Sequence, residues 1–246
     1  MLQQSFWLAK KEFKYHRLSL LFTVLFTIFY ALLISGFLNQ SVKKMFGPDM
    51  EPYNFFLLDF LFVIITLSLS ANFMSGPYLS LRAIKEDPFS KRMAMLRTLP
   101  IPVPVLSLSR TLMMLMTLLV MSTVFFGTLA IALPDPFFQH IGPGDFVFFI
   151  LFWLGCSLTI GGLNPFIEYG TNGKILHLTP YIFLVILLAT ITVFYQLSDL
   201  GLVELILLGV KSNGWILALF SLLLGTVACY FWNKILTIRL LKRDYD

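Results

Sequence analysis

Side chains able to ligate a metal, attack a carbonyl or relay protons are few in this 246-residue chain, and they are scattered. The three histidines, His16, His140 and His177, never pair at ligand spacing, and no H-E-x-x-H or G-x-S-x-G occurs. Cys156 and Cys229 sit inside apolar runs without CxxC spacing, so they read as small hydrophobes rather than a disulfide or zinc framework. A phosphate-cradling G-x-x-x-x-G-K-[ST] loop is also missing. The only Gly-Lys pair, Gly173-Lys174, is followed by Ile175 and has no glycine at the required offset. Asp59 is the one charged residue well within an apolar span, and an intramembrane protease would want such groups in pairs. Thr66 and Ser70, seven and eleven residues on, lie within about 20° of Asp59 on a helical wheel. The stripe suits a translocation path; packing through polar contacts and an Asp59 reaching the headgroups are the competing readings.

What must position these residues follows from composition. Hydrophobic residues make up 58% of the chain and charged ones 13%, against roughly 25% charged in a soluble domain, and 26 residues are Phe. That is more apolar surface than one globular core can bury, so a bilayer is the expected solvent. Six continuous apolar stretches are near the ~20 residues a spanning helix needs: 18–38, 55–74, 111–133, 146–163, 175–195 and 215–236. Barrel strands would alternate, and these runs do not. The expectation is an all-α, polytopic membrane protein with a single transmembrane domain over 1–246.

Fifteen of the eighteen Lys and Arg fall in the leader, the second-to-third connection, the fourth-to-fifth connection and the tail; only Lys43, Lys44 and Lys211 fall on the other side. This bias places both termini in the cytoplasm. The net charge of +5 then reflects insertion topology and contact with anionic membrane lipid, not nucleic acid. The first span is too long for a signal-peptide core and no A-x-A-like site follows it, so it reads as a retained anchor. Before it, over 1–17, Leu2, Phe6, Ala9 and Phe13 recur at helical spacing beside Lys10, Lys14 and Arg17, with Trp7 as an interface anchor. An interfacial helix on the cytoplasmic face is expected, the alternative being a plain basic leader.

The connection EDPFSKRMAMLRTLPIPVP carries the strongest local signals. Asp87 can cap a helix with Pro88 at its first position, and Pro100 and Pro102 mark its end. Phe89, Met93 and Leu96 then share an apolar face, which wants a protein partner or the headgroups. The fourth span holds Gly155, Ser157, Thr159, Gly161 and Gly162, which permit close helix approach. The apolar piece 202–210 within 196–214 is too short to span, so it dips in and returns or lies flat.

A basic amphipathic leader, six spans, and a cytoplasmic helix followed by Leu-Arg-Thr-Leu-Pro-Ile (Leu96 to Ile101) resemble the membrane subunit of a type 2 ABC transporter, the ABC-2 permease family. The resemblance implies that 88–99 is a coupling helix docking on a separate ATPase subunit, with Phe89, Lys91, Arg92, Met93, Leu96 and Arg97 at the contact. Glu168, beyond the break at Asn164-Pro165, would add a second contact or lie in a plain turn. It also implies two permease copies or paralogues per transporter, a re-entrant outer hairpin at 196–214, export, and ATP and Mg held by the partner, with no cofactor in this chain. A bacterial plasma membrane is the expected location. The rival from another class is a non-transport scaffold or sensor subunit of a membrane complex.

Overall fold

The computed structural model describes residues 1–46, 54–80, 82–198 and 200–243; part of the loop after the first apolar stretch, position 81, position 199 of the 196–214 segment and the last three residues lie outside them. Every regular element among these residues is a helix. Five helices are long and apolar enough to cross a membrane: α2 (Arg17–Phe46), α7 (Val103–Ala132), α9 (Pro143–Gly161) continued by α10 (Asn164–Gly170), α11 (Gly173–Leu197) and α12 (Leu202–Lys242). The second expected span is shorter than its apolar run, because α3 (Phe55–Ser68) is only 14 residues, about 21 Å at 1.5 Å per residue. The polar residues beyond it bond sideways instead of prolonging the helix. Asn72 accepts from Thr23 Oγ1 at 2.8 Å and donates to Ser19 at 2.8 Å on α2, while Ser70 accepts from Asn164 at 2.8 Å.

Short helices complete the chain: α1 (Leu2–Tyr15), α4 (Gly76–Leu79), α5 (Ala83–Glu86), α6 (Pro88–Arg97) and α8 (Asp135–His140). The cap foreseen for α6 is present. Asp87 accepts from Ser90 N at 3.4 Å with Pro88 in the first turn, and its φ of 42° lets one residue end α5 and begin α6.

The leader is a helix whose inward face differs from the expected one. Ser5, Leu8, Ala9 and Glu12 are buried, and Ser5 Oγ donates to Val105 O of α7 at 3.2 Å. Leu2, Phe6 and Trp7 are left exposed, and Phe13 is half-buried.

The segment at 202–212 is helical and runs into the last span through Asn213, whose φ of −144° and ψ of 46° break the helix. In a straight helix Leu217 would sit about 12 Å beyond Gly209, yet its Cδ1 is 3.1 Å from where a Gly209 Cβ would be, so the chain bends back on itself. Val203, Leu207 and Val210 are buried in the bundle core.

Glycines of α9 and α12 allow close packing between the spans. A Cβ on Gly155 would meet the Ser221 backbone at 2.4 Å, one on Gly225 the Gly155 carbonyl at 2.7 Å, and one on Gly161 the Ser70 Cβ at 2.5 Å. This is the close approach that the small-residue pattern foretold. Gly155→Val is therefore expected to destabilise by about 1–3 kcal/mol or more, because backbone has to give way. The thermal unfolding midpoint of the detergent-solubilised chain checks it.

Buried apolar residues form two clusters. One fills the bundle between α2, α3, α7, α9 and the first part of α12. The other gathers Leu8, Phe89, Met93, Leu106, Ile167, Tyr169, Leu176, Leu236 and Leu240 at the end of the molecule that carries both termini.

Candidate functional site

The second cluster encloses the most unusual polar arrangement in the protein. Glu12 of α1 and Arg110 of α7 are each more than nine-tenths buried, and they form a direct ion pair through Arg110 Nη1 and Glu12 Oε2. The other carboxylate oxygen takes Arg92 of α6 at 3.0 Å. Arg92 Nη1 also donates to His16 Nε2 at 3.1 Å; burial first, and the Arg92 charge second, hold that imidazole below its ordinary pKa, so it stays a neutral acceptor. Arg110 lies 4.5 Å from the centre of the Tyr169 ring and donates to Tyr169 Oη at 3.2 Å, while its Nε and Nη2 make no hydrogen bond among the described residues. Beside it Tyr78 donates to Glu168; burial, then the neighbouring carboxylate, push the Tyr78 phenol well above its usual pKa and keep it a donor.

One carboxylate therefore ties together α1, α6 and α7, and a second hydrogen bond ties α4 to α10. Taking these charges out of water costs about as much as their attraction returns, so the network adds little net stability. Its effect is registry: it fixes how the leader and the short helix α6 sit on α7. Among the described residues no three His, Cys, Asp or Glu side chains converge as metal ligands.

The residues singled out in the connection are split by this arrangement. Arg92 and Glu168 belong to the network. Phe89 and Met93 are buried in the chain's own core, with Leu96 half-buried beside them. Phe89 packs edge-on against Tyr78 at 6.2 Å and Tyr169 at 5.2 Å between ring centres. The apolar face expected to meet another protein is filled internally. Lys91 and Arg97 are exposed, and Arg97 donates to the carbonyls of Leu240 and Arg243 at 3.0 and 2.7 Å, joining the end of α6 to the end of α12. What α6 turns outward is Lys91 and Met95, followed by Leu99 just past its end, with Met95 73% exposed.

No family model matches the chain, and no curated protein or solved structure does either.

At the opposite end, Asp59 does not reach out of the bundle. It is fully buried and caps α12, accepting from Leu202 N, from Val203 N at 2.8 Å and from Tyr195 Oη at 2.7 Å. Glu204 completes the turn: it accepts from Gly201 N and from Ser41 Oγ, both at 3.0 Å. Thr66 donates to its own helix, and its carbonyl accepts from Ser157 at 2.6 Å. Ser70 meets Asn164 and Gly161. All three stripe residues thus lie in contacts between helices of one chain.

Sequence reasoning missed Glu12, Arg110, Tyr78 and Tyr169. Glu12 had one local sign, a lone acid in a basic leader, and Arg110 another, an Arg leading directly into an apolar run. Gly201 and Glu204, three residues apart ahead of an apolar run, carried a readable capping signal.

Proposed function

We propose that this chain is the membrane-spanning permease subunit of an ATP-driven ABC-2 type exporter, working with a separate ATPase subunit that binds ATP and Mg. The observation that carries the reading is the mounting of α6. Its inner face is bolted into the bundle by Phe89, Met93 and Arg92, and its end is fastened to α12 by Arg97, while its outer edge stays open. A push on such a helix moves α1, α7 and α12 with it. That is what transmitting a partner's nucleotide cycle into a membrane requires, and the chain has no phosphate loop of its own. The ATPase contact in this reading is the outward edge, Lys91, Met95 and Leu99, with the cytoplasm on that side. Because Asp59, Thr66 and Ser70 are engaged within one chain, the path is assigned to the space between two copies.

Purified alone, the chain is expected to hydrolyse no ATP; with the ATPase that co-purifies with it, turnover is expected to rise. Met95→Ser combined with Leu99→Ser is expected to weaken that association at least tenfold, since burying each side chain contributes about 1.5–3 kcal/mol. The thermal midpoint of the isolated chain should not change. Association and turnover unaffected by the double variant would overturn the assignment of this edge, and no ATPase in the purified complex would favour the scaffold reading.

A further inference from the structure

An open cavity of about 430 Å³ lies between the corner joining α10 to α11 and the last turns of α12. Its size is within the range of small-molecule sites, about 300–1,000 Å³. The chemistry of its lining is two-sided. Arg239, Lys242 and Arg243 contribute three cations and no carboxylate among the described residues lines the cavity, whereas Phe166, Ile175 and Ile238 make its apolar part.

The cations are held to different degrees. Arg243 is fixed: it donates to the Thr171 carbonyl at 2.7 Å, the Tyr169 carbonyl at 3.2 Å and Ser90 Oγ at 2.7 Å, and stands 3.7 Å from Asp87. Arg239 is anchored through Nε to the Gly170 carbonyl at 3.2 Å and is otherwise exposed. Lys242 is exposed and forms no ion pair with the described residues. The corner itself is closely packed, because Gly173 lets α11 start against α5: a Cβ there would meet the Ala83 carbonyl oxygen at 2.2 Å.

The apolar part does not end at the cavity. Ile175 (43% exposed) continues along α11 into exposed Leu178 and Ile182, and Ile238 (46% exposed) continues along α12 through Ile235 to exposed Phe231. Both strips run from the basic residues toward the middle of their spans. A soluble anion would leave these strips unused. A molecule with a phosphate at one end and hydrocarbon at the other would use both, and basic pockets between spanning helices are where anionic headgroups are held.

We infer that this cavity is a binding site for an anionic glycerophospholipid, its phosphate held by Arg239 and Lys242 and an acyl chain laid along the Ile175 and Ile238 strips. The inference needs only a chain that spans a bilayer and stands independently of the transport reading.

The test uses the full chain in a neutral detergent, titrated with dioleoylphosphatidylglycerol or dioleoylphosphatidylcholine and read by native mass spectrometry. The anionic lipid is expected to bind in preference to the zwitterionic one. Arg239→Gln with Lys242→Gln should weaken it about 25-fold, about fivefold for each charge near the bilayer surface. Lys10→Gln with Lys14→Gln, which removes the same charge from exposed sites on α1, should change it less than twofold. Lys242→Gln alone is the safeguard against misfolding, since this side chain holds no other element in place; about fivefold is expected. Millimolar inorganic phosphate should not displace the lipid. Equal effects of the two double variants, no preference for the anionic lipid, or displacement by phosphate would each overturn the inference, the last by showing that a soluble anion is the ligand.

Discussion

Glu12→Gln is expected to cost this protein about 3–5 kcal/mol, although the residue lies in a short leader helix. The reason is what it leaves behind. The Arg110 side chain is 1% exposed, its direct partners besides Glu12 among the described residues are the uncharged Tyr169 ring and hydroxyl, and the nearby Glu168 carboxyl, which also feels the Arg110 charge, is already engaged by Tyr78. A neutral amide cannot compensate a guanidinium that water cannot reach. Arg110→Met should be milder, because it leaves Glu12 still paired with Arg92 at 3.0 Å. Combining Glu12→Met with Arg110→Met removes both buried charges, so it is expected to lie closer to wild type than Glu12→Gln does. The measurement is the thermal midpoint of the solubilised chain across these variants. A Glu12→Gln protein as stable as Arg110→Met would show that water reaches the pair and that the registry argument fails.

That pair also marks the limit of what could be read beforehand. The long helices α2, α7, α9, α11 and α12 are legible because continuous apolar runs are a local property of the chain, and in hydrocarbon the only alternative to helix, a closed barrel, would need alternating strands. The start of α6 is legible for the same kind of reason: Asp87 and Pro88 act on amides in the next turn. The close contact of α9 with α12 was foreshadowed by Gly155 and Gly162, since a small residue signals a close neighbour without saying which one. Glu12 and Arg110 are 98 positions apart, and nothing in either neighbourhood specifies the other. Asp59 is a similar case. Its type and depth in an apolar run were visible, but the amides of Leu202 and Val203 that it caps come more than 140 residues later. The end of α3 was misjudged because Ser70 and Asn72 look tolerable within an apolar stretch, and only their partners on α2 and at Asn164 make them stops.

The face of α6 gives the sharpest divide between pattern and place, and with it a second large expected effect. Periodicity puts Phe89, Met93 and Leu96 on one side of the helix but cannot say whose apolar surface covers them. The structure covers them with Leu8, Leu106, Ile167, Leu236 and Leu240 of the same chain. Phe89→Ser with Met93→Ser is therefore expected to destabilise the isolated protein itself. Truncating a buried Phe costs about 3–5 kcal/mol and a buried Met about 2–5 kcal/mol, and the two sites share neighbours, so the sum is an upper bound. Even the lower part of that range approaches the whole stability of an ordinary domain. The damage should also spread, because Phe89 supports Tyr169, on whose ring Arg110 rests. Met93→Leu nearly conserves volume and should cost less than about 1.5 kcal/mol. The experiment is thermal unfolding and yield of monodisperse protein, measured with no ATPase present, for the Ser pair, for Met93→Leu and for the Met95→Ser/Leu99→Ser pair. The internal face should fail without any partner, while the outer pair should match wild type until an ATPase is added. If the Phe89/Met93 variant instead proved as stable as wild type and lost only its partner, the inner face would be the docking surface after all, and α6 would have to swing out of the bundle to present it.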